Sequence, residues 1–167
     1  HEKKGPVTIL SDILDGKRLN SPNDVVLKSD GAIYFTDPPY GLPGLFNDPK
    51  KETPFSGVYL IKNNKTILLT KDLGGPNGIA FSLDEKYLYV GNWDIRDIHN
   101  TKTVWRYDVQ PDGTLKNGKI FFDWNLTEDD EAIDGIKVDK AGNLFVSAPG
   151  GVWIISSEGK LLGKIVT

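Results

Sequence analysis

A chain of 167 residues, 38% apolar and 26% charged, is long enough to bury a core and has the composition of a globular domain rather than a disordered one. A net charge of −3 without basic runs argues against nucleic acid, and no apolar run approaches the ~18 residues of a membrane-spanning helix, so neither partner is expected. The absence of cysteine excludes disulfides, thiol catalysis and cysteine-ligated zinc, and leaves the compartment open.

Along the chain, the first signal is an apolar-rich run over residues 7–14, followed by the turn chemistry of Asp15-Gly16-Lys17-Arg18-Leu19-Asn20. Having no partner hairpin, the run reads as a lone strand, with residues 1–20 closing a unit that begins elsewhere. Methionine is absent even at position 1, which suggests a processed chain or an internal piece of a longer one.

Three full units follow, over residues 21–74, 75–131 and 132–167. The first predicts strands over 25–27, 33–36, 58–61 and 67–70, with a Pro- and Gly-rich loop over 37–56. The second predicts strands over 79–82, 87–90, 104–108 and 120–123, with its middle loop over 92–102. The third predicts strands over 136–139, 144–147, 152–155 and 161–166, and its middle loop shrinks to Ala148-Pro149-Gly150.

The units align residue by residue. Ile33, Leu88 and Leu144 coincide, as do Tyr34, Tyr89 and Phe145, and so do Tyr59, Trp105 and Trp153. A polar anchor precedes each first strand: Asn77 follows Asn23 by 54 residues, and Asp134 follows Asn77 by 57. Repeated four-stranded antiparallel units with turn signals and no helical period indicate an all-β chain of the β-propeller class, here about three blades plus one extra strand. A β-sandwich with coincidental hairpins is the alternative. Propellers close with about four to eight blades. Three blades therefore imply a longer protein, or a homodimer in which two arcs complete one ring.

Strand direction places the long loops and all three anchors on one face, and the tight turns near Gly31, Glu85 and Gly142 on the other. The first strand of each blade lines the channel, so Asn23, Asn77 and Asp134 converge at its mouth. Two amide oxygens and a carboxylate suit a hard divalent cation such as Ca²⁺, Mg²⁺ or Mn²⁺. Equally, each residue can simply shape the turn before its strand.

Arg18-Leu19-Asn20-Ser21-Pro22-Asn23-Asp24, Thr36-Asp37-Pro38-Pro39-Tyr40-Gly41, Gly75-Pro76-Asn77-Gly78 and Asp134-Gly135-Ile136-Lys137-Val138-Asp139 together resemble the gluconolactonase branch of the SMP-30/gluconolactonase family. The resemblance covers almost the whole chain. It implies a six-bladed propeller that opens sugar lactones such as glucono-1,5-lactone with one divalent cation, Ca²⁺ foremost, with Zn²⁺, Mn²⁺ or Mg²⁺ as alternatives. Asn77 and Asp134 match metal ligands, Asp134 also matches a catalytic base, and Asn23 matches a residue that contacts substrate or the metal's water. The family's further glutamate ligand, from its first blade, has no counterpart in this sequence.

Arg18 is expected to meet sugar hydroxyls or a carboxylate product, and Tyr40, Asn92 and Trp93 to wall the substrate pocket, though an exposed charge beside a turn and simple aromatic packing are competing readings. The acidic run Glu128-Asp129-Asp130-Glu131 reads as a solvated loop, and His99 as a loop histidine without a nucleophile beside it. Asn64-Lys65-Thr66 and Asn125-Leu126-Thr127 match the glycosylation pattern, which carries no weight without secretion. Two other functions compete with the lactonase reading: a catalytically inactive propeller portion serving as a binding or assembly module, and a related metal-dependent esterase.

Overall fold

The structure is a computed structural model that describes residues 7–96, 101–124 and 131–166. Three four-stranded antiparallel sheets succeed one another, each with its strands in sequential order. The chain begins with a minimal pair, β1 (Ile13–Leu14) and β2 (Lys17–Arg18). Blade one comprises β3 (Val25–Leu27), β4 (Ile33–Asp37), β5 (Gly57–Lys62) and β6 (Lys65–Thr70), with a short 3-10 turn, Leu45–Asn47, in its long loop. Blade two comprises β7 (Pro76–Phe81), β8 (Tyr87–Asp94), β9 (Thr101–Val109) and β10 (Leu115–Asp123). Blade three comprises β11 (Ile136–Val138), β12 (Leu144–Ala148), β13 (Gly151–Ile155) and β14 (Leu161–Val166).

The strand pleat explains how the blades stack. Successive side chains point to opposite faces, so a blade with neighbours on both sides needs apolar residues at consecutive positions. In β8, Leu88 and Val90 join Tyr34, Val58, Leu60 and Ile79 in the core between blades one and two. The intervening Tyr89 joins Ala80, Val104, Ile136, Leu144 and Val146 in the core between blades two and three. This is the face-to-face packing of a β-propeller, as the repeat predicts. The inner strands β3, β7 and β11 border one groove of about 380 Å³.

The N-terminal run departs from the expected lone strand. Asp15 and Gly16 adopt φ of 50° and 79°, so the chain turns back within two residues and pairs Leu14 with Lys17. Asp-Gly readily supplies the two positive φ angles that a tight hairpin needs. Residues 7–12 form no strand, and Val7 is 95% exposed.

On the face with the tight turns, Glu85 accepts hydrogen bonds from Lys28 Nζ (2.9 Å), Ser29 N (2.7 Å) and Ser29 Oγ (2.6 Å), which ties the first two blades together. Asn64 sits in the turn between β5 and β6 with φ of 57°. His99, residues 128–130 of the acidic run and the pattern at 125–127 lie outside the described residues.

Candidate active site

Asn77 lies inside β7 rather than ahead of it, at a break in the ladder. Pro76 pairs with Asn92 and Ile79 with Val90, so Asn77 and Gly78 together stand opposite Gly91 alone. Such a bulge bends the strand and re-aims a side chain. The Asn77 side chain is buried; its Nδ2 donates to Ile133 O at 2.7 Å, while its Oδ1 has no hydrogen-bond partner among the described residues. Gly78 permits the close approach that this needs, since a Cβ there would lie 2.2 Å from Asp134 O.

Asn23 and Asp134 share one backbone arrangement. Asn23 N–H donates to Thr36 O (2.9 Å) and Thr36 N–H to Asp24 O (3.0 Å); likewise Asp134 N–H donates to Ser147 O (2.9 Å) and Ser147 N–H to Gly135 O (3.0 Å). The two anchors are thus equivalent positions in blades one and three, both exposed, flanking the buried Asn77. Amide and carboxylate oxygens are the donor types a hard cation takes, and the Asn77 Oδ1 is buried without a donor among the described residues, so the chemistry of these three residues suits one. Among the described residues, no cluster of three or more His, Cys, Asp or Glu could hold a metal, so the set depends on amide oxygens.

Tyr40, Asn92 and Trp93 gather around Gly75. Asn92 Oδ1 accepts from Gly75 N at 2.9 Å, and Trp93 N–H donates to Gly75 O at 2.8 Å. The Tyr40 hydroxyl, 2.9 Å from Gly75 O and 2.5 Å from Trp93 O, donates its proton to this pair of carbonyls. Burial raises the Tyr40 pKa, and the nearby Asp94 adds to the rise, so the hydroxyl stays protonated. The Tyr40 and Trp93 rings lie 5.4 Å apart, centroid to centroid, and form an aromatic wall between the long loop of blade one and the end of β8, so that Asn92 and Trp93 stand in a strand rather than in the expected loop. Asn92 is buried, and its Oδ1 is engaged by the Gly75 N–H.

Among the described residues, no hydrogen bond brings Arg18 to the anchors. Its Nε donates to Glu52 Oε1 at 2.5 Å and its backbone N–H to Glu52 Oε2 at 2.7 Å.

Other residues escaped the sequence reading. Asp37 is fully buried, and its two carboxylate oxygens each accept a backbone N–H, from Asn20 and Ser21, at 2.8 Å. Burial pushes its pKa up to about 6 against the lowering by those two bonds. Arg96 bridges the loops by pairing with Asp94 at 2.8 Å and lying 4.2 Å over the Phe46 ring. Asp37 stands in the Thr-Asp-Pro-Pro run, a turn-like sequence that gives no sign of burial; Phe46 and Arg96 carried no sequence signal.

The model of the SMP-30/Gluconolactonase/LRE-like region matches residues 1–167. The chain belongs to this family. It is similar to a gluconolactonase of Zymomonas mobilis subsp. mobilis, at 38% identity over 98% of this chain and 47% of the relative. A solved structure of a gluconolactonase from Xanthomonas campestris superposes with a TM-score of 0.79 at 34% identity, covering 95% of this chain and 51% of the other. A solved calcium-binding regucalcin of Agrobacterium tumefaciens shares the fold, with a TM-score of 0.65 at 20% identity over 86% of this chain and 44% of the other. The family member described here thus spans about half the length of the relatives it matches.

Proposed function

We propose that this chain forms part of a divalent-metal-dependent hydrolase that opens sugar lactones such as glucono-1,5-lactone. The observation that carries the reading is the buried Oδ1 of Asn77, unpartnered among the described residues, on a side chain whose Nδ2 is bound to the carbonyl of Ile133, the residue before Asp134. The gluconolactonase relatives support the substrate class, and the calcium-binding regucalcin neighbour makes Ca²⁺ the first cation to try.

Asn77, Asp134 and Asn23 would hold the cation. When bound, it supplies Lewis-acid polarisation of the lactone carbonyl and lowers the pKa of water. The remaining work falls to side chains of this chain. Asp134, exposed at the mouth, takes a proton from the attacking water as its oxygen bonds to the carbonyl carbon. The ring C–O bond then breaks, the ring oxygen takes the proton held by Asp134, and an open hydroxy acid leaves. Asn23 orients the sugar through a hydrogen bond, and the Tyr40–Trp93 wall packs against the ring and excludes water.

The experiment is acid release from glucono-1,5-lactone by the 167-residue chain with Ca²⁺, Mn²⁺ or Zn²⁺, with chelator, and with Asp134→Ala, after subtraction of spontaneous hydrolysis. Cation-dependent turnover that disappears in the variant supports the reading. A folded sample without turnover, while still binding lactone, favours a binding module instead.

A further inference from the structure

The bulge that aims Asn77 is not completed within its own blade. Thr36, fully buried in β4 of blade one, donates its hydroxyl to Asn77 O at 2.8 Å, and the same Oγ1 accepts Asp24 N–H at 3.1 Å. Asp24 Oδ2 in turn accepts Ile79 N–H at 2.9 Å. The residues on either side of Gly78 are therefore each tied to blade one by a side chain, at the stretch where the β7–β8 register breaks.

Thr36 also holds Asn23, because its carbonyl accepts the Asn23 N–H at 2.9 Å. One buried threonine thus contacts the backbones of two anchors in two blades. Thr36 pairs across the ladder with Val58 of β5, a β-branched residue of the same shape. The hydroxyl is what a purely apolar packing residue would lack.

We propose that Thr36 is a positioning residue: its hydroxyl anchors the bulged backbone of β7 at Asn77 and thereby fixes the placement of the Asn77 side chain relative to Asn23 and Asp134. The inference rests on the functional reading above only for its consequence in catalysis; the placement of Asn77 stands by itself. Outer partners that orient a ligating group typically alter metal affinity by about 10–100-fold when removed.

The test compares Thr36→Val, which keeps the shape and removes the hydroxyl, with Thr36→Ser, which keeps the hydroxyl, in the whole chain. The Asn77 side-chain NH₂ cross-peak, assigned with an Asn77 variant, is followed by NMR together with Ca²⁺ and Mn²⁺ titration and lactone hydrolysis. Thr36→Val should shift or broaden that cross-peak and weaken cation binding by about tenfold or more, whereas Thr36→Ser should restore both to within about twofold. If Thr36→Val only lowers the melting temperature and leaves the cross-peak and the cation titration unchanged, Thr36 is merely structural. Should Thr36→Val fail to fold, Thr36→Ala replaces it, and a displaced Asn77 cross-peak in Thr36→Ser overturns the proposal by itself. A wild-type chain that neither binds cation nor hydrolyses lactone defeats the functional reading, while the cross-peak still decides the role of Thr36.

Discussion

Asn77 Nδ2 donates to Ile133 O at 2.7 Å, a single bond that joins the inner strand of the second blade to the residue preceding Asp134. Ile133 is fully buried, so its carbonyl has little access to water if the amide is removed. Asn77→Ala should destabilise the chain by about 1–3 kcal/mol, the cost of a buried acceptor left unpaired, and should also remove the orphaned oxygen. Urea unfolding and calcium titration of wild type and variant check both effects; an unchanged unfolding midpoint would contradict the structural half.

At Gly78 the backbone of β7 passes close to that of Asp134 in the third blade. With a Cβ only 2.2 Å from Asp134 O, Gly78→Ala must push β7 away from the third blade, because the obstructing atom is backbone. Overpacking of this kind costs roughly 1–3 kcal/mol. The expected result is a lower unfolding midpoint with a larger loss of the proposed lactone hydrolysis than Gly163→Ala, whose added Cβ meets nothing within 4 Å. Equal effects at the two positions would refute the close-approach argument.

Asp37 predicts an unusual pH dependence. Its pKa is raised from 3.8 to about 6 by burial, so the folded chain binds this proton more tightly than the unfolded one. The resulting stabilisation is complete below the unfolded pKa of about 4 and is lost as pH rises through about 6. Carboxylates with lowered pKa, such as Asp84 at about 2, act in the opposite direction. A carboxyl-carbon NMR titration should place the Asp37 midpoint near 6; a midpoint at the ordinary aspartate value would refute the effect of burial.

Glu85 ties the tight turns of the first two blades at the end opposite the anchors. Its hydrogen bond from Ser29, followed by the one from Lys28, holds its pKa below the usual value, so its contribution is present above that value and lost as pH falls. Glu85→Ala should lower the melting temperature by roughly 2–4 °C, the shift expected for about 1 kcal/mol in a chain of this size. The pH dependence of lactone turnover should be unchanged; an altered profile would show that this clamp reaches the site.

Much of the fold was legible because it is periodic. The alternation of apolar residues, the turn residues after each first strand and the recurrence of Asn23, Asn77 and Asp134 are local or regularly spaced, and they determine strand number, order and the stacking of blades. The tertiary structure decided what depends on contacts between distant segments. At each anchor two residues face one across the ladder: Asn23 and Asp24 against Thr36, Asn77 and Gly78 against Gly91, Asp134 and Gly135 against Ser147. What the tertiary structure adds at Asn77 is burial and the side-chain ties to Thr36 and Asp24 of the neighbouring blade. Arg18 finds Glu52, and Asp37 finds the N–H groups of Asn20 and Ser21, only once the long loop folds back over the chain. A strand's side-chain period specifies which face it buries, whereas the aim of one side chain follows from partners tens of residues away.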